Sequence, residues 1–277
     1  MIGPSAVRFS LPTIDWLRYP EGSDPARAGP VPGQPLTVFL GGAAAGGFTA
    51  VGLDHYTVGS DDPDQVAALL DERGLVCTDV GVLPLGTDAL DRAAETLVGL
   101  AAATGAPVCI AAFYAPVARA RALAELDRCA EMLSQVGTRI ALEFAAYGGL
   151  TRLADAVSLC EEVGWDRCGV LVDTWHFFRT DAPWDVLRSL AGEQIALVHV
   201  NDGPAVPGDD AVREGRFGRL PVGAGAFPLE EFAAALDGVG YAGALSTEVL
   251  SDDVRNRAPE EGARLLFGSL RDCWPGS

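Results

Sequence analysis

Cys168-Gly169-Val170-Leu171-Val172-Asp173-Thr174-Trp175-His176 is an apolar run that ends in an aspartate, with a histidine three residues further on. Val170, Leu171 and Val172 have the composition of a strand buried on both faces, as the strands of a parallel sheet are. Asp173 falls where such a strand would end. Parallel α/β folds gather ligand and catalytic groups at the carboxyl ends of their strands. The same pattern recurs in Arg139-Ile140-Ala141-Leu142-Glu143, Ile195-Ala196-Leu197-Val198-His199 and Ala244-Leu245-Ser246-Thr247-Glu248. Glu143, Asp173, His199 and Glu248 are therefore read as one set.

Outward from these runs, apolar segments alternate with helical periodicity. Strands are expected at residues 6–11, 50–54, 75–82, 108–112, 139–144, 169–173, 195–200 and 244–249. Helices are expected at 36–45, 60–73, 87–104, 116–136, 151–163, 183–191, 228–236 and 259–270. Ser60-Asp61-Asp62-Pro63 is a helix start, with a capping residue and an early proline, and Gly74 stops that helix. Gly41 and Gly42 weaken the helix at 36–45. Such alternation specifies a parallel sheet, and eight units in 277 residues point to a single α/β domain, a (β/α)8 TIM barrel spanning 1–277. An open doubly wound sheet is the alternative. Residues 16–35 form a long loop rich in Pro, Gly and charge, a candidate lid over the barrel mouth. Residues 203–227 form a second long loop.

Composition excludes several functions. The formal net charge of −18 repels phosphate backbones and anionic lipid, so neither nucleic acid nor a membrane surface is an expected partner. The chain has no lysine; all 20 basic residues are arginine. Schiff-base aldolases and dehydratases and pyridoxal-phosphate enzymes are thereby excluded. None of the six cysteines forms a C-x-x-C pair, and most sit in apolar segments, as reduced structural thiols of a cytoplasmic protein do. Arg8, Asp15 and Arg18 break any apolar run near the start, and no stretch is long enough to span a bilayer. The first βα turn lacks G-x-G-x-x-G, and there is no G-x-x-x-x-G-K-[ST], so nucleotide cofactors have no support.

In a barrel all strands point the same way, so Glu143, Asp173, His199 and Glu248 would converge on one mouth. Three carboxylates and an imidazole are a hard donor set, suited to Mn²⁺, Co²⁺, Zn²⁺ or Mg²⁺. The ligands lie about 25 to 50 residues apart, one or two βα units per step. A cation holding a carbonyl and a neighbouring hydroxyl would stabilise a developing enediolate.

Leu142-Glu143-Phe144, Val172-Asp173-Thr174-Trp175-His176, Val198-His199-Val200-Asn201-Asp202, the glycine-rich Leu220-Pro221-Val222-Gly223-Ala224-Gly225 and Thr247-Glu248-Val249 together carry a resemblance. The chain resembles the xylose isomerase-like TIM-barrel superfamily, the sugar phosphate isomerase/epimerase and AP endonuclease 2-like group. The likeness is close over residues 138–250 and in outline before them. It implies that the four residues bind one divalent ion, and that His176 hydrogen-bonds a substrate oxygen. It also implies that Glu143 and Glu248 act as catalytic acid and base on opposite faces of the substrate. Epimerases of this group carry an arginine shortly after the strand-seven histidine, whereas this chain has Gly203-Pro204-Ala205-Val206-Pro207 there. Arg213, Arg216 and Arg219 follow in the same loop, and Arg219 is the preferred substitute. Endonuclease IV needs further histidines, and the chain has only His55, His176 and His199. Xylose isomerase proper needs a lysine.

His55, Phe113 and Trp175 are further candidate substrate contacts, each beside an expected strand end; core packing is the competing reading for Phe113 and Trp175. The expected function is a metal-dependent isomerase or epimerase acting through an enediolate on a small polyhydroxylated substrate. The alternatives are a dehydratase of an inosose or dehydroshikimate-like cyclic ketone on the same site, and a non-catalytic sugar-binding barrel. Assembly as a homo-oligomer is compatible with the sequence.

Overall fold

Each apolar run of the chain becomes a strand and each intervening amphipathic segment a helix laid against it. The computed structural model describes residues 8–20 and 29–274. The barrel strands are β1 (Phe9–Pro12), β2 (Ala50–Asp54), β3 (Val76–Leu85), β4 (Val108–Phe113), β5 (Arg139–Glu143), β6 (Cys168–Asp173), β7 (Ile195–Val200) and β8 (Leu245–Thr247). All pair in parallel with their chain neighbours, and Phe9↔Leu245 and Ser10↔Ser246 close the ring. The open-sheet alternative is excluded. The surrounding helices are α1 (Leu36–Gly46), α2 (Pro63–Asp71), α3 (Leu90–Thr104), α4 (Arg119–Ser134), α5 (Leu153–Val163), α6 (Trp184–Ser189), α7 (Leu229–Val239) and α8 (Pro259–Cys273).

Local chemistry sets several boundaries. Asp62 accepts a hydrogen bond from Asp64 N at 2.9 Å, and Pro63 opens α2. Gly105, at φ 66°, ends α3 in the left-handed conformation that suits glycine. The glycines that weaken α1 in isolation serve its packing. A Cβ on Gly42 would lie 2.5 Å from Pro259 Cβ, and one on Gly46 2.4 Å from Ala263 Cβ, so α1 approaches α8 closely only without them. The main core fills the space between strands and helices, from Leu11 and Leu53 to Leu142, Val172, Val198 and Leu266. All six cysteines are free, five of them buried.

Two long segments depart from the expected plain loops. The segment 203–227 contains a short helix, Ala211–Phe217, whose start is capped by Asp210 accepting from Arg213 N at 3.0 Å. Bridges Asp202↔Leu220 and Gly218↔Ser251 tie this segment down beside β7 and β8. A helix of seven residues lacks the periodic length that a sequence reading needs. In the segment 16–35, Leu17–Arg18 pair antiparallel with Val31–Pro32. Residues 21–28 of that candidate lid, and residues 6–7 of the first expected strand, lie outside the described residues. Among the described residues no helix is long and apolar enough to cross a membrane.

Candidate metal centre and substrate cavity

Side chains two residues apart on a strand share a face. Ala141, Leu171 and Leu197 belong to one small apolar cluster. Glu143, Asp173 and His199 follow each of them by two positions and so project from the same face at the next level up. Asp173 and His199 stand opposite each other in the β6–β7 register. Glu248 follows β8 directly, its amide donating to Val200 O at 3.2 Å. One ligand atom from each of the four comes within 4.8 Å of every other. Chain positions more than a hundred residues apart are thus brought to one point.

The spacing of Asp173 and His176 has a local cause. Asp173 is the N-cap of the short helix Thr174–Arg179, and its Oδ1 accepts from His176 N at 3.0 Å. One carboxylate oxygen holds the helix and the other, Oδ2, faces the centre. Ala146 N–H donates to His176 Nδ1 at 3.0 Å, so the proton of the neutral ring sits on Nε2. Burial, reinforced by the Arg219 charge, pushes the His176 pKa well below its ordinary value. His176 therefore presents a neutral Nε2–H donor, 3.8 Å from Glu143 Oε1.

The electrostatics are those of an anionic cluster held together by one arginine. Arg219 Nη1 lies 3.0 Å from Asp173 Oδ2 and 2.6 Å from Glu248 Oε2, while its Nε donates to Gly215 O at 2.7 Å. Asn201 Nδ2 donates to both Asp173 Oδ2 and the Glu248 carbonyl, at 3.0 and 3.1 Å. Burial, together with the Glu248 and Asp173 charges, pushes Glu143 up to about 8. Burial acts on Glu248 in the same direction, but Arg219 and His199 outweigh it and hold that carboxyl well below the usual range. Burial opposes a charge on His199, yet Glu248, Asp173 and Glu143 raise it to about 9.

This donor set fits a divalent cation. His199 is 1% exposed, and both of its ring nitrogens are buried without a hydrogen-bond partner among the described residues. Nδ1 stands 3.4 Å from Glu248 Oε1 without hydrogen-bond alignment. An unpartnered buried imidazole is costly, and a coordinated ion removes that cost.

Above the cluster opens a cavity of about 430 Å³, lined by Glu143, His176, Glu248 and Arg219 at its base and by Phe113 on its wall. His55 and Trp175 are placed elsewhere. The His55 ring packs 4.0 Å from Tyr56, and its Nδ1 sits among the Gly81 and Val82 backbone groups at 3.1 and 3.2 Å. Trp175 is fully buried and donates from Nε1 to Glu214 at 3.0 Å. Neither lines the cavity, because each ring is taken up by these contacts.

Several residues carry weight that the sequence reading did not assign. Asn201 joins two of the acidic residues, as above. Asp202 accepts from the amides of Gly203, Gly223, Gly225 and Phe227 at 2.8 to 3.1 Å, which folds the glycine-rich turn and sets where the segment 203–227 leaves β7. The spacing of His199 and Asp202 was the available signal. Tyr19, Tyr56 and Tyr147 also line the cavity, and no local pattern groups them; Tyr114 lines it beside Phe113 at the end of β4, where the strand end places a candidate wall.

The model of the xylose isomerase-like TIM barrel family matches residues 41–273, and the chain belongs to that family. An inosose isomerase of Halalkalibacterium halodurans is 26% identical over 141 residues, 50% of this chain and 49% of the relative. A 3-dehydroshikimate dehydratase of Pseudomonas aeruginosa is 30% identical over 132 residues, 47% of this chain and 21% of the relative. The chain thus aligns with about half the length of the first and about a fifth of the second. Among solved structures, the IolI protein described with a zinc atom superimposes with a TM-score of 0.81 at 15% identity, covering 96% of this chain and 98% of that one. At that identity the likeness shows the fold.

Proposed function

We propose that the protein is a divalent-metal-dependent enzyme that removes a proton from the carbon beside a carbonyl on a small polyhydroxylated or cyclic ketone, with isomerisation or epimerisation as the outcome. The observation that carries this reading is the convergence of Glu143, Asp173, His199 and Glu248 within 4.8 Å around an imidazole with no other partner. These four residues would hold Mn²⁺, Co²⁺, Zn²⁺ or Mg²⁺, and the bound ion supplies Lewis-acid polarisation of the substrate carbonyl. Glu143 and Glu248 both line the cavity and come from strands on different sides of the cluster. One carboxylate takes the proton from the substrate carbon and the other returns one on the opposite face. His176 donates its Nε2 proton to a substrate oxygen, and Arg219 keeps Glu248 ionised while narrowing the base of the cavity.

The 3-dehydroshikimate dehydratase relative supports a second reading, in which the same proton removal is followed by loss of the β-hydroxyl as water. The two separate by product: a dehydratase yields a conjugated enone that absorbs in the ultraviolet.

The test has two stages. Metal content is measured by mass spectrometry on wild type and on His199→Ala purified alongside. Metal-loaded protein is then incubated in D2O with a panel of ketoses and cyclic ketones. About one ion per chain, largely lost in the variant, and deuterium uptake beside a carbonyl are expected. If neither protein retains an ion after reconstitution with each metal, the reading fails and a binding barrel replaces it.

A further inference from the structure

We infer that Arg216 and the tyrosines around it form an oxyanion subsite, so that the substrate of the proposed reaction carries a carboxylate or phosphate remote from its reacting carbonyl. This inference rests on the reading in the previous subsection and adds the substrate class.

Arg216 is half-buried on the short helix Ala211–Phe217 and lines the same 430 Å³ cavity as Glu143, His176 and Glu248. Its guanidinium carbon lies 5.2 Å from the Tyr19 ring centre and 6.0 Å from that of Tyr147. Tyr56 and Tyr114 line the same cavity. Burial pushes up the pKa values of Tyr56 and Tyr147, and the Arg216 charge is close enough to oppose that push at both. The cavity therefore gathers one guanidinium and four phenols, all of them groups that donate to oxyanions.

The neighbouring arginines are already matched. Arg179 pairs with Glu214 at 2.6 Å, Arg219 with Asp173 and Glu248, and Arg255 with Asp252 at 3.0 Å. Arg216 has no carboxylate partner among the described residues, in a chain with 38 acidic residues against 20 arginines. The remaining acid of the cavity wall, Asp54, accepts instead from Thr13 and Thr57. The same cavity is lined by the carboxylates of Glu143 and Glu248, and neither pairs with Arg216 among the described residues. A substrate anion is repelled by those carboxylates and attracted to Arg216, which orients it.

The inference is tested by calorimetric titration of Mn²⁺-loaded protein with two matched pairs of probes: shikimate against its methyl ester, and D-fructose 6-phosphate against D-fructose. The charged member of at least one pair is expected to bind about tenfold or more tighter, the scale of hydrogen bonds to a charged group. A preference for shikimate assigns a carboxylate, and one for the phosphate assigns a phosphorylated sugar. The preference should vanish in Arg216→Gln, survive in part in Arg216→Lys, and persist in Arg213→Gln, whose exposed side chain does not line the cavity. No tighter binding of either charged probe, or an unchanged preference in Arg216→Gln, overturns the inference. Binding is read without turnover, so deuterium uptake on neutral ketones would leave the enzymatic reading standing when the subsite fails. Loss of metal and of uptake, with the anion preference intact, would remove that reading and leave the subsite.

Discussion

On the β5–β8 side of the mouth, the strand ends carry Glu143, Asp173, His199 and Glu248, joined to one another through Arg219 and Asn201. On the β2–β4 side, the cavity is lined by Asp54, Tyr56, Val82, Ile110, Phe113 and Tyr114, and the single acid among them is satisfied by two threonines. The fold positions both halves by the same means, a strand followed by a turn at the carboxyl edge. They differ in what each half does with buried charge. The first half packs three carboxylates and an imidazole into a space that one small cation would complete, and without one this is poorly compensated electrostatics. The second half holds no unmatched acid: its apolar side chains shape a wall, and Tyr56 and Tyr114 belong to the proposed anion subsite. Such an imbalance is what marks the first half as the candidate site.

The comparison breaks first at Glu143. Replacing it with Gln keeps an oxygen toward the cluster but removes the proton acceptor, so turnover should fall by about 10²–10⁴ with the fold intact. Steady-state assay beside circular dichroism checks this. A loss below tenfold would move the proton-transfer role off Glu143.

The next effect is on stability. Arg219→Ala leaves Asp173 and Glu248 without their guanidinium, and breaking such a buried pairing costs about 3–5 kcal/mol. Urea denaturation of chelator-treated protein should show that loss, and adding Mn²⁺ should recover part of it in wild type and variant alike. An unchanged midpoint would mean that the carboxylates take up protons instead.

Proton release sharpens the contrast further. In the metal-free protein Glu143 is pushed up to about 8 and His199 to about 9, so both hold protons at pH 7. An arriving cation must displace them, and calorimetry in buffers of different ionisation enthalpy should report about two protons released per ion. Apparent affinity should therefore rise with pH, most steeply below 8, and level off above about 9. A flat profile between pH 6 and 8 would contradict that linkage.

The smallest effect belongs to the wall. Ile110→Val removes one methylene from a nearly buried side chain and should cost about 0.5–1.5 kcal/mol, with metal content unchanged. A fall in metal content would show that the two halves are not independent.

Much of this was legible in advance, unevenly. The barrel followed from alternating periods, and the metal set from four apolar runs that each end in a ligand-type residue. The short helices Thr174–Arg179 and Ala211–Phe217 leave no such signal, because six or seven residues give too little periodicity to register. β3 runs on to Leu85, past the expected end at residue 82, and takes Pro84 into the sheet beside Ala112, a residue type that argues against a strand interior when read alone.

The sequence by itself determined the eight barrel strands, the helices that follow them around the barrel and the placing of Glu143, Asp173, His199 and Glu248 at the strand ends, because side-chain direction along a strand and capping at a helix start are settled within a few residues. Only the tertiary structure decided the partners. Arg219 reaches Asp173, 46 positions before it, and Glu248, 29 positions after it. His55 and Trp175 turn into backbone and side-chain contacts away from the cavity. Arg216 comes to rest among tyrosines from four separate segments. Such pairings depend on where closure of the barrel brings distant loops together, and no local spacing records that.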